Sequence, residues 1–188
     1  MKKLKFYYGT MNAGKSTLLL QQHYNNSKKH ILTFILVPAT GNKMGMINSR
    51  IGLKKKAKKI LNNTNIFTYI GSLKKKPKEI LIDEAQFLTK KHIFELISIV
   101  DILKINVSAY GLRTDFRSKL FDSSKYLLTL ADEIIEIKTT CKCGKKAIMN
   151  AKIIHNQKII HGNQINIDKN IYRPLCRYHF FNFKKKYK

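Results

Sequence analysis

The chain has 188 residues, 37 Lys+Arg against 11 Asp+Glu for a formal charge of +26, three cysteines and no tryptophan. With 44% hydrophobic residues it can bury a core, which excludes a disordered polycation, and its length suits one domain with a small appendage rather than two full domains. No apolar run reaches the roughly 18 residues that span a bilayer, and the basic start leads into LKFYYG rather than a signal core, so the chain reads as cytoplasmic with no membrane partner.

Short β-type and helix-type runs follow one another. LKFYYG at 4–9 leads into the helical KSTLLLQQHYNN at 15–26, then ILTFILVPA at 31–39 and the short apolar run IFTYI at 66–70. EILID at 79–83, the helical LTKKHIFELISIVDIL at 88–103 and INVSAYG at 105–111 continue the alternation. Strands this apolar on both faces belong inside a parallel sheet covered by helices on each side, so the expected fold is α/β in three layers over residues 1–138. Strand order is not legible from the pattern. Segment 40–60 carries turn signals, a basic run and little apolar periodicity, and is expected to be a loop, either solvated or ordered by a ligand. After Ile137 cysteines and a basic end take over, so residues 139–188 are expected to form a small second unit. There is no internal repeat.

The charge points first to a polyanion partner. Yet only five of the 37 cations are arginine, the residue whose fork matches guanine, and the lysines form scattered runs beside abundant Ile and Asn. AT-rich coding accounts for that pattern, and nucleic acid is not expected as a specific partner.

Gly9, Thr10, Met11, Asn12, Ala13, Gly14, Lys15 and Ser16 fit GxxxxGK[ST] between a strand and a helix, with Thr17 following. Glycines let the backbone N–H groups curl inward onto a phosphate, the helix adds its positive end, Lys15 neutralises β and γ oxygens, and the Ser16 hydroxyl reaches Mg²⁺. A nucleoside triphosphate, ATP with Mg²⁺, is the expected ligand. The strand Ile80–Ile82 ends in Asp83 and Glu84, and a strand-end aspartate helps to hold Mg²⁺ opposite such a loop. Glu84 is then the candidate general base, taking a proton from an attacking hydroxyl. The plainer alternative is an acid pair stabilised at a helix N-terminus.

Cys141 and Cys143 form a CxC knuckle before Gly144, and Cys176 opens CRYH, which ends in His179. Three thiolates and an imidazole make a tetrahedral site that suits structural Zn²⁺ and leaves no open position for catalysis. Buried reduced cysteines and a disulfide are the alternatives, the disulfide disfavoured inside a cell. His23, His30, His92, His155 and His161 lack partner spacing and are assigned to surface or loops.

Taken together, GTMNAGKS at 9–16, IDEAQF at 82–87, YGLRTDFRSKLF at 110–121, CKCG at 141–144 and YRPLCRYH at 172–179 resemble the type II thymidine kinase family, collinearly over most of the chain. GLRTDF and DEAQF are the discriminating pieces. The resemblance implies a RecA-like ATP-binding domain, a small zinc-bearing domain with a lasso loop, and transfer of the ATP γ-phosphate to the 5′-hydroxyl of thymidine, with deoxyuridine as a possible second acceptor. It implies Glu84 as catalytic base, Gln86 among the ATP and Mg²⁺ contacts, and Met11, Phe87, Leu112, Phe116 and Tyr172 around the thymine. It also implies a homotetramer. Two departures stand out: residues 167–172 read Ile-Asp-Lys-Asn-Ile-Tyr where the family often has Gly-Gly before the tyrosine, and 38–45 lacks an Asp-x-Arg element. Lys43 or Arg50 is the candidate for the missing phosphate-facing charge. The function classes weighed against the kinase are a nucleic-acid-binding ATPase and an inactive, zinc-stapled binding protein.

Overall fold

The computed structural model describes residues 1–39, 45–155, 157–159, 161–162 and 171–183. In chain order the first part comprises β1 (Leu4–Tyr8), α1 (Lys15–Lys28), β2 (Thr33–Pro38), β3 (Met46–Asn48), β4 (Lys54–Lys56), β5 (Lys58–Ile60), α2 (Ile66–Gly71), β6 (Glu79–Ile82), α3 (Lys90–Asp101), β7 (Asn106–Gly111), α4 (Asp122–Leu130) and β8 (Glu133–Glu136). The second part comprises β9 (Met149–Ile154), β10 (Gln157–Ile159), β11 (Tyr172–Leu175) and α5 (Arg177–Phe181).

Six strands form one sheet in the order β5-β2-β6-β7-β1-β8, every pair parallel. Alternate residues face opposite layers, as the two-residue period of a strand requires. Ile80 and Ile82 of β6 join Leu4, Phe6, Leu36, Val107 and Ala109 in a core shared with Ile66 and Ile70 of α2, Ile93, Leu96 and Ile99 of α3 and Leu127 of α4. Leu81, Ile35 and Tyr110 point the other way, onto Leu19 and Leu20 of α1. The sheet is therefore apolar on both faces and covered on both, as the strand composition implies.

Three local expectations are corrected. The described part of segment 40–60 is not a plain loop: β3 and β4 form an antiparallel hairpin, and β5 adds to the sheet edge beside β2, with Ile47 and Ile60 buried. A strand such as Lys54–Lys56 has no apolar alternation to betray it, because backbone pairing, not side-chain burial, defines it. His92 is not a surface residue either. It is buried at the start of α3, where its ring and Thr89 form a capping box and its Nε2 bonds the Thr64 carbonyl at 3.0 Å. His23 also lies on a helix, α1, half-buried with its Nδ1 on Thr33 Oγ1.

The second part has its own small core, in which Cys141, Ala147, Met149, Ala151, Ile153, Leu175, Cys176, Phe180 and Phe183 pack together. β9 is the centre of its three-stranded antiparallel sheet, between β10 and β11. Met149, Ala151 and Ile153 face this core, so Asn150 and Lys152 project from the opposite face of β9.

Candidate active site

Because all six strands run the same way, the segments that follow β1, β6 and β7 emerge at one edge of the sheet. Crevices outside the carboxyl ends of parallel strands are where α/β folds bind ligands. The phosphate-type loop 9–16 follows β1, Asp83 and Glu84 follow β6, and Leu112 follows β7.

The loop curls through two left-handed residues, Asn12 (φ 69°) and Gly14 (φ 80°), and Gly14 caps α1. Lys15 Nζ donates to the Thr10 carbonyl at 2.7 Å and the Gly9 carbonyl at 3.3 Å, which holds the ammonium within the curl. Thr10 Oγ1 is buried without a hydrogen-bond partner among the described residues, an orphan that suits a ligand oxygen. Gly9 has no room for a side chain, since a Cβ there would lie 2.6 Å from the Ile137 carbonyl oxygen. Gly9→Ala is expected to displace the loop from β8's end and to weaken nucleotide binding at least tenfold, the scale of one lost buried hydrogen-bond geometry; titration with a fluorescent ADP analogue checks it.

Across the edge, Ser16 Oγ donates to Asp83 Oδ2 at 2.9 Å, and Asp83 is buried. Two hard oxygens this close are a donor set that fits Mg²⁺, which takes oxygen ligands from one or two side chains and keeps phosphates and waters for the rest. Glu84 sits at φ 56°, ψ 36°, left-handed for a non-glycine residue, an uncommon conformation that costs energy and is typical of functional turns. Its Oε2 accepts from Gln86 Nε2 at 2.7 Å, while Gln86 Oε1 accepts from the Leu112 N–H at 2.9 Å. Gln86 is itself buried. In the geometry described, then, it braces Glu84 against the backbone after β7. Met11, Asn12, Gly14, Lys15, Ser16, Thr17, Arg50, Asp83, Glu84 and Leu112 line one cleft. Of the two proposed phosphate-facing cations, Arg50 is thus at the cleft, and Lys43 lies outside the described residues.

The loop 112–121 is folded around Asp115, whose Oδ1 accepts the Arg117 and Lys119 N–H groups and whose Oδ2 takes the Arg117 guanidinium through Nε at 3.0 Å and Nη2 at 2.9 Å. That turn buries Phe116, whose ring lies 6.4 Å from Tyr172. Phe87 meets Phe121 edge to face at 5.7 Å. Leu112 and Tyr172 are buried and Met11 and Phe87 half-buried. Of the stretch 167–172 that the resemblance matches to the lasso, residues 167–170 lie outside the described residues.

Two residues that the sequence reading passed over stand here. Asn150, 4% exposed, accepts the Met11 N–H at 2.7 Å and donates to the Thr114 carbonyl at 3.0 Å. Lys152, 7% exposed, holds its ammonium 5.3 Å from the centroid of Phe116. Their signal was the strict apolar–polar alternation Met149-Asn150-Ala151-Lys152-Ile153, which marks a strand with one apolar face.

Cys141, Cys143, Cys176 and His179 form a separate cluster whose ligand atoms all lie within 4.8 Å of one another. Cys143 and Cys176 sulfurs are 3.9 Å apart, and His179 Nδ1 stands 3.3 Å from Cys141 and 3.4 Å from Cys176. Those are the edges of a tetrahedron around one ion with Zn–S near 2.3 Å and Zn–N near 2.1 Å. Burial acts to raise the Cys141 thiol, but the backbone N–H groups of Cys143 and Cys176 and the side chains of His179 and Cys143 outweigh it and bring it down to about 6. Burial raises Cys176. With four protein ligands and soft donors the cluster fits a closed, structural zinc.

Residues 2–180 match the family model described as thymidine kinase. The chain is 47% identical to the thymidine kinase of Shouchella clausii (strain KSM-K16), covering 94% of this chain and 95% of that protein. It is 46% identical to the thymidine kinase of Legionella pneumophila (strain Paris), over 96% and 90% of the two chains, and 43% identical to that of Streptococcus pyogenes serotype M3 (strain ATCC BAA-595 / MGAS315), over 97% and 98%.

The chain belongs to the thymidine kinase family. The resemblance carried by DEAQF, GLRTDF and the two zinc-ligand motifs is thereby borne out. Among the described residues of this family member no helix is long and apolar enough to cross a membrane.

Proposed function

We infer that the protein transfers the γ-phosphate of ATP to the 5′-hydroxyl of thymidine, with deoxyuridine as a second acceptor, yielding dTMP and ADP. Family membership carries the substrates, and the observation that supports the chemistry is the set Lys15, Ser16, Asp83 and Glu84 gathered at one sheet edge. The loop 9–16 binds the triphosphate, with Lys15 and Arg50 as its cations and Thr17 beside it. Ser16 and Asp83 hold Mg²⁺, whose charge offsets that of the phosphate oxygens when it is bound. Met11, Phe87, Leu112, Phe116 and Tyr172 enclose the thymine, the aromatic rings offering faces and edges to the base.

Glu84 takes the proton of the 5′-hydroxyl as that oxygen bonds to the γ-phosphorus and the bond to the β,γ-bridging oxygen breaks, in line. Gln86 aims the carboxylate. Replacing it by leucine removes the brace and orphans the Leu112 N–H, so Gln86→Leu is expected to lower kcat about 10- to 100-fold, the scale of one hydrogen bond to a charged group, with KM for ATP little changed. Initial-rate kinetics in both substrates decide this.

The division into 1–138 and 139–188, a homotetrameric assembly and a cytoplasmic location complete the proposal. The charge-based alternative, a nucleic-acid-driven ATPase, is not favoured by the family. Both are tested by ATP consumption in metal-replete protein with thymidine, other nucleosides, single-stranded DNA or no acceptor. Thymidine-dependent turnover is expected; turnover driven by DNA and indifferent to thymidine would overturn the kinase.

A further inference from the structure

The side chain of Asn150 leaves β9 on the face opposite the metal-site core and ends among loops that belong to the large sheet. Its two polar ends are both used. The oxygen takes the Met11 N–H at 2.7 Å, a residue 139 positions earlier, and the amide reaches the Thr114 carbonyl at 3.0 Å, 36 positions earlier. Burial to 4% exposure keeps water from replacing either bond.

Met11 is the third residue of the nucleotide loop, directly before Asn12, which is held left-handed at φ 69° without being glycine. Asparagine adopts this conformation at lower cost than other non-glycine residues, so contacts around it suffice to fix one loop shape. Inside the loop the restraints are Lys15 on the carbonyls of Gly9 and Thr10 and the 3.3 Å bond from Ala13 N–H to the Thr10 carbonyl. From outside, the Gly9 N–H reaches the Gly111 carbonyl at 3.4 Å and Ser16 Oγ bonds Asp83 at the two ends of the loop, while Asn150 holds its middle at Met11. A loop that visits other shapes binds its ligand more weakly by the fraction of time spent in the competent one.

We propose that Asn150 is a positioning residue that holds loop 9–16 in its nucleotide-binding shape, so that ATP affinity at the large sheet depends on a side chain supplied by the metal-bearing unit. This rests on the reading of 9–16 as a nucleotide site and not on the identity of the acceptor.

The test compares wild type, Asn150→Ala and Asn150→Asp, all metal-replete. Amide hydrogen exchange is followed without nucleotide, Mg·ADP binding by calorimetry, and KM for each substrate by initial rates. Asn150→Ala is expected to speed exchange within 9–16 and to weaken ADP binding, each about tenfold for one buried hydrogen bond, with exchange in α3 unchanged. Asn150→Asp keeps an oxygen for the Met11 N–H and is expected to retain native exchange in 9–16. Native exchange and native ADP affinity in Asn150→Ala would overturn the proposal. So would acceleration that extends equally to α3, a rise in KM for thymidine alone, or an aspartate variant that exchanges as fast as alanine. Wild type that binds Mg·ADP but phosphorylates no thymidine would sink the acceptor assignment and leave these comparisons intact.

Discussion

Glu84→Gln should lower thymidine-dependent turnover by about 10²- to 10⁴-fold, the range that a positioned general base contributes, while ADP binding stays near native. The substitution is isosteric, so it keeps the Gln86 contact, where glutamine can still accept the 2.7 Å hydrogen bond, and places no new side-chain bulk at the left-handed position. What it removes is the carboxylate proposed to receive the proton. Single-turnover measurements with saturating ATP and thymidine separate this from a binding defect, because a mutation that lowers kcat and kcat/KM equally has removed an interaction made in the transition state. Turnover within a few-fold of wild type would strip Glu84 of the base role and leave it as a structural acid at the end of β6.

The second large effect is expected at the Cys141, Cys143, Cys176 and His179 cluster, which fits structural zinc. In Cys176→Ala the tetrahedral set of Cys141, Cys143, Cys176 and His179 loses one corner and its best-buried thiolate pair. Structural zinc of this ligand class stabilises isolated peptides by about 10–16 kcal/mol, as much as the total stability of a typical domain at about 5–15 kcal/mol. A core of nine buried residues, two of them ligands, does not replace that. The variant is expected to lose its bound zinc, to become cleavable by trypsin within the lysine-rich stretch after Ile137, and to lose nearly all kinase activity, since Asn150 and Tyr172 are carried on this sheet. Zinc content by atomic absorption, limited proteolysis and activity are read together. Protease resistance and activity retained without zinc would show that the apolar cluster suffices on its own.

The residues gathered at the carboxyl edge of the sheet carry local signals. The span from Gly9 to Ser16 and the carboxylate pair after Ile82 each sit within a few consecutive residues, and the backbone that arranges them is short-range. The metal ligands were legible for another reason: cysteine is scarce here, three in the whole chain, and its chemistry narrows its uses. Gln86 shows what a motif leaves out: DEAQF gives its place in the chain, but only the fold shows its two side-chain ends on Glu84 and the Leu112 backbone. His92 shows the same limit for composition, since a lone histidine carries no pattern that distinguishes a solvated ring from a buried cap.

The α/β alternation, the two-sided apolar strands and the grouping of three cysteines with one histidine were open to the sequence alone, because periodicity and side-chain chemistry act over a few residues; the expectations for loop 9–16 and the acid pair rest on signals just as local. The tertiary structure decided the strand order that separates β1 from β6 by β7 and so sets Ser16 against Asp83. It also decided that the polar face of β9 would be buried and not solvated. A strand that alternates Met149, Asn150, Ala151, Lys152, Ile153 announces one apolar face, but what covers the other face depends on contacts between segments more than a hundred residues apart, and no local pattern encodes them.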